Sequence, residues 1–224
     1  LNMEEIFLHT VQYLQEEFED CRYMAGFYEH DMVSAMWSID ESGLLSAYSK
    51  ELSLLGKTAE DLIPMVRITT SDTGTCGANI YPMLLNVKDG KSFNLGSPLK
   101  LIHKNGSTMD DYDAQLKQLY AKYQLAIGKL TELLGVRIAN PVNCMTEVMA
   151  KLAIPKKYQA EALELFKAQY NVWSCTAHDI YFAISEILFM LECEGASGSR
   201  IAKMEEQIAR ALSMNWAEYD FPEM

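Results

Sequence analysis

Residues 176–193 read TAHDIYFAISEILFMLEC. Ile180, Tyr181, Phe182, Ile184, Ile187, Leu188, Phe189, Met190 and Leu191 put apolar groups on nearly every face of a helix. A helix of that kind belongs inside a core or inside a membrane. About 16 residues at 1.5 Å each span roughly 24 Å. His178, Asp179, Glu186, Glu192 and Glu194 interrupt the run, so it is too short and too charged for a bilayer. The segment is therefore expected to be the central scaffold helix. Burying about seven of its large side chains contributes on the order of 15 kcal/mol before chain entropy is subtracted.

Working back from that helix, residues 107–213 carry helical spacing almost throughout. Thr108-Met109-Asp110-Asp111 has the spacing of a capping box, with aspartate in place of glutamate. Leu116, Leu119, Tyr120, Tyr123, Ile127, Leu130 and Leu134 then form one buried face that stops at Gly135. Asn140-Pro141 reads as an N-cap with proline at the first helical position. Met145, Val148, Met149 and Leu152 follow, and Pro155 limits that helix. Residues 156–170 predict a helix on Leu163, Phe166 and Tyr170, and residues 199–213 predict the last. The ending NWAEYDFPEM holds three aromatics and is expected to fold back on the body.

The first half reads differently. Phe7, Val11, Leu14, Phe18 and Cys21 share a stripe, predicting a helix over residues 3–25 that ends at Gly26. Glu4, Glu5, Glu16 and Glu19 fall off that stripe and make an acidic face. Residues 31–39 alternate through Val33, Ala35, Trp37 and Ile39, which predicts a strand. Residues 42–55 predict a helix with Gly56 as its stop. Residues 64–70, 79–87 and 92–103 predict further strands, the last two joined by the Asp89-Gly90 turn. The expected fold class is α+β. A small, mostly antiparallel sheet over about residues 31–103 packs against a predominantly helical C-terminal half. A single domain over residues 1–224 is the simplest organisation, with a composition shift near residue 105 as the alternative division.

With 49% hydrophobic and 22% charged residues, the composition is globular. The net charge of −12 repels phosphate backbones unless the few cations are segregated, and they are not. Direct binding to nucleic acid is therefore not expected, whereas an acidic face engaging a basic protein is. Cys21, Cys76, Cys144, Cys175 and Cys193 lie far apart, with no zinc spacing. Free buried thiols in a reducing compartment, the cytoplasm, are the expectation. The opening Leu-Asn-Met-Glu-Glu lacks the basic-then-apolar pattern of a secretory leader.

Thr70-Ser71-Asp72-Thr73-Gly74-Thr75, with Asn79 after it, is the most suggestive string for a site. Asp-Thr-Gly after a strand resembles the signature of aspartic proteases, in which two such aspartates share one proton. Thr70 and Ser71 stand where that family uses an apolar pair, and no second Asp-Thr-Gly follows. The same residues suit a plain turn, or a nest of amide groups for an anion or partner. Asp110, Asp111 and Asp113 lack the glycine and spacing of a calcium loop, and acids in a first helical turn already suit the helix dipole. His178 beside Asp179 would need a partner from elsewhere to act as a base. No nucleophile elbow, phosphate loop or dinucleotide pattern is present. No catalytic residue, metal or cofactor is expected.

Ala139-Asn140-Pro141-Val142-Asn143, Thr176-Ala177-His178-Asp179-Ile180-Tyr181 and Arg210-Ala211-Leu212-Ser213-Met214-Asn215-Trp216 resemble uncharacterised phage- or plasmid-borne proteins of Gram-positive gut bacteria, over about residues 60–220. The resemblance implies a mobile-element accessory protein in the bacterial cytoplasm and brings no catalytic residues. The favoured function is protein binding, in concrete form as an acidic inhibitor of a nucleic-acid-handling defence enzyme. A single-strand DNA annealing or recombination accessory is the alternative, and an aspartic hydrolase centred on Asp72 a remote one. A protein partner is expected, no membrane, and a homodimer stays open.

Overall fold

The computed structural model describes residues 2–18, 20–29, 32–40, 43–71, 77–101, 106–170, 173 and 175–222. Its elements, in chain order, are α1 (Met3–Glu17), β1 (Asp20–Glu29), β2 (Met32–Asp40), α2 (Ser46–Leu54), β3 (Leu62–Ser71), β4 (Ala78–Asn86), β5 (Ser92–Asn94) and β6 (Leu99–Leu101). They continue with α3 (Met109–Leu116), α4 (Leu119–Gly135), β7 (Arg137–Ile138), α5 (Pro141–Lys151), α6 (Lys156–Gln169), β8 (Cys175–Thr176), α7 (Ala177–Cys193) and α8 (Gly198–Ala209). The fold is α+β, with one six-stranded antiparallel sheet and most of the helices in the C-terminal half. The chain forms two compact units, residues 1–49 with 58–127 and residues 50–57 with 128–224, so the division falls inside α2 and α4.

In the first unit the strands run β1-β2-β3-β4-β5, with β6 also on β4. Residues paired across strands share a face, because side chains alternate along a strand. Trp37, opposite Tyr23 and Val66, therefore lies on one face, and Phe7 of α1 meets it at 6.2 Å between ring centroids. Ile6, Thr10 and Leu14 are the buried residues of α1. The Thr10 hydroxyl donates to the Ile6 carbonyl and shares a 2.6 Å hydrogen bond with the Tyr112 hydroxyl, tying α1 to α3. The opposite face carries a cluster of Met65, Tyr81 and Met83, with Met36 and Leu85 against it. Arg67 lies there too, its guanidinium carbon 4.6 Å from the centre of the Tyr81 ring. A charged group buried in this way is stabilised by the ring quadrupole.

The first helix is shorter than its apolar stripe predicts. It ends at Glu17, and residues 20–25 belong to β1, so Gly26 lies inside a strand instead of closing a helix. Tyr, Phe and Cys side chains favour a pleated surface, and pairing with β2 overrides the continuing helical spacing. The sheet consequently begins at residue 20 and gains one long strand. The Asp89-Gly90 turn forms as expected, with Gly90 at φ +74 and the Asp89 carboxylate accepting from the Lys91 amide at 3.0 Å. Residues 92–103 do not make one strand. Gly96, at φ +95, lies between β5 and β6.

The capping box at Thr108 and Asp111 forms, but the helix after it breaks between Leu116 and Leu119 into α3 and α4. On α4, the hydroxyl of buried Tyr123 donates to the Met83 carbonyl at 2.6 Å and accepts from the Met83 amide at 2.9 Å.

In the second unit α7 is the scaffold that its sequence predicts. Ile180, Tyr181, Ile184, Ile187, Leu188 and Leu191 are buried, while Phe189 is exposed. A second capping box, Thr176 with Asp179, starts the helix. No helix of the described residues is long and apolar enough to cross a membrane. α5 starts with Pro141, but the Asn140 side chain does not cap it. The Asp220 carboxylate instead fixes the turn ahead of the helix, accepting from the Ala139 and Asn140 amides at 2.8 and 2.7 Å. Trp216 is buried, and Asp220 and the Phe221 carbonyl accept from Asn140 and Asn143, so the C-terminal segment folds back, although Phe221 itself is exposed. α6 buries Tyr158, Ala162 and Phe166, where sequence spacing points to Leu163, Phe166 and Tyr170. Cys144 and Cys175 are buried free thiols, whereas Cys193 is exposed.

Candidate functional site

Three places in the described structure could act on another molecule, and they differ in what they offer chemically. The first is the 70–79 segment. Thr70 and Ser71 are buried at the end of β3, opposite Val33 and Met32, and Asn79 is half-buried on β4. Asp72, Thr73, Gly74 and Thr75 lie outside the described residues, as does Glu19. What is described of this string is sheet, not an open cradle. Glu4, Glu5 and Glu16 are exposed on α1, with Glu4 and Glu5 in its first turn, where the helix dipole favours them.

The second is the start of α7 in the second unit, where Lys57, Cys175, His178 and Asp179 gather. The Lys57 ammonium donates to the Asp179 carboxylate at 2.6 Å, and that carboxylate also accepts from the Thr176 amide and hydroxyl. Burial alone would raise the Asp179 carboxyl, but its bonds to Lys57 and Thr176 outweigh this and hold it below its usual range. Burial, reinforced by the Lys57 charge, drives His178 down to about 4. Burial also pushes the Cys175 thiol up to about 11. Near neutral pH the imidazole is thus uncharged and the thiol protonated. A nucleophilic cysteine needs the reverse, a thiolate stabilised by a nearby cation. The hydrogen bonds of this group anchor the start of α7, and its thiol is not activated as a nucleophile. Among the described residues no three His, Cys, Asp or Glu side chains gather in a way that could hold a metal ion.

The third place is β1, and here the chemistry is that of a contact surface. β1 is the end strand of the sheet, so one of its edges carries main-chain groups with no neighbouring strand in the sheet order. Large apolar side chains line it in the open. Tyr23 is 63% exposed, Met24 46%, Phe27 39% and Tyr28 66%. A register shift between Tyr23 and Ala25 makes Met24 a bulge, which changes which residues share a face. Tyr23 and Tyr28, five residues apart, both project on the face of Trp37 because the bulge absorbs one position. Ala25 and Phe27 take the other face with Arg22. Tyr23 meets the Trp37 ring edge-on at 6.1 Å, which holds the exposed phenol in place.

Scattered exposed apolar residues are ordinary, but four within six positions of a strand that ends the sheet among the described residues are not. Extending the first helix through residue 25 concealed this strand. Its available signal was the run CRYMAGFY, where carboxylates cease and β-favouring residues begin.

A shallow depression of about 560 Å³ lies on the second unit, lined by Ala160, Glu161, Glu164, Leu165 and Met190. It is apolar with an acidic rim and brings no set of polar groups together.

Comparison with known proteins finds no matching family model, no matching curated protein and no matching solved structure.

Proposed function

We propose that this chain is a non-enzymatic protein-binding protein that docks through the edge of β1. One observation carries the reading: an end strand whose Tyr23, Met24, Phe27 and Tyr28 are all substantially exposed. Strand addition to such an edge takes its affinity from main-chain hydrogen bonds and its specificity from alternate side chains. At the start of α7, where ionisable groups do gather, the Cys175 thiol stays protonated, which counts against a cysteine nucleophile there.

The resemblance of residues 139–143, 176–181 and 210–216 to phage- and plasmid-borne proteins supports reading the chain as a mobile-element accessory protein. The net charge of −12 and the exposed Glu4, Glu5 and Glu16 favour a basic partner. A nucleic-acid-handling host enzyme is the concrete case, with carboxylates standing where phosphates would. Single-strand annealing is less well supported. Arg22 is the sole Lys or Arg of β1, and its guanidinium is 2.6 Å from the Asp20 carboxylate. Aromatics that stack bases normally sit in a basic groove.

The test is affinity capture from a bacterial lysate, with and without nuclease, using the full chain and its Phe27→Lys/Tyr28→Lys variant. The expected result is a protein retained by the parent chain after nuclease and lost by the variant. Capture that nuclease abolishes, together with salt-sensitive binding to a single-stranded oligonucleotide, would overturn the reading in favour of nucleic acid.

A further inference from the structure

We draw no further inference here: the strongest candidate, the shallow apolar depression between α6 and α7 lined by Ala160, Leu165 and Met190, carries nothing, because Glu164 on its rim is already paired with Lys167 and nothing in the structure shows what covers it.

Discussion

The hydroxyl of Tyr23 closes over Gly26: a Cβ added at Gly26 would lie 2.6 Å from that oxygen and 3.1 Å from the Ser34 carbonyl. Both residues project on the same face of β1, and the tyrosine ring covers the main chain where no side chain stands. An aromatic residue beside an edge glycine protects the ladder in this way.

Gly26→Ala tests that relationship. The phenol end is exposed and can swing aside, but the Ser34 carbonyl belongs to the sheet and yields only slightly. A loss of about 1 kcal/mol is expected, which lowers Tm by roughly 2–4 °C in a chain of this size. Tyr23 leaves its place against Trp37, so tryptophan fluorescence should shift while far-UV circular dichroism holds. An unchanged emission spectrum would mean that Tyr23 is not seated over the glycine.

Tyr123→Phe removes a hydroxyl that serves two main-chain groups of Met83, its carbonyl at 2.6 Å and its amide at 2.9 Å. Both groups are then buried with their partner gone, and each such group costs about 1–3 kcal/mol. A total near 2–4 kcal/mol predicts a Tm lower by roughly 5–12 °C. Denaturant melts with unchanged slope would locate the loss in stability rather than in compactness. A shift below 1 °C would show that other groups take over the bonds.

His178 makes folding pH-dependent in a defined window. Its folded value lies near 4, against about 6.5 in an unfolded chain. Above pH 6.5 the ring is neutral in both states and contributes nothing to the slope. As pH falls below 6.5 the unfolded chain gains the proton first, so stability declines until about pH 4 and then levels for this group. The full loss is on the order of 3 kcal/mol. Chemical denaturation between pH 7.5 and 4.5 should show it, and His178→Gln should flatten that range. Asp179, held low by Lys57 and Thr176, adds a loss of the same sign at still lower pH, when its own carboxylate is protonated.

Asp220→Ala should loosen the turn that leads into α5. The carboxylate accepts from the Ala139 and Asn140 amides and from Asn140 Nδ2 at 3.1 Å. Loss of these charge-assisted hydrogen bonds at a partly exposed turn costs about 1–2 kcal/mol. Amide exchange at residues 139–144 and in the C-terminal tail should quicken together, since one side chain holds both. Faster exchange in the tail alone would separate the two.

Much of the helical half could be read locally, because caps and apolar stripes act within a few residues. Thr108 with Asp111, and Thr176 with Asp179, satisfy the first amides of their own helices, so their spacing is enough to place them. Asn140-Pro141 carried a similar signal and only half of it held. Proline starts α5, but the Asn140 side chain does not cap it, and its amide bonds instead to Asp220, 80 residues further on. β1 was hidden for a related reason. Phe7, Val11, Leu14, Phe18 and Cys21 keep a helical spacing past the point where the helix stops, and nothing nearby announces β2 as the partner that draws residues 20–29 into the sheet. Cys193 was misread as a buried thiol because α7 is apolar nearly all round, and spacing cannot say which of its faces stays open.

The amino-acid sequence alone determined the fold class, the strongly acidic character and the burial of α7, since composition and short-range periodicity carry that information directly. Only the tertiary structure decided which strand ends the sheet, that a bulge at Met24 brings Tyr23 and Tyr28 to one face, and that His178 is kept neutral. Those properties depend on contacts between residues distant in the chain, where neighbours set burial, register and charge that no local pattern encodes.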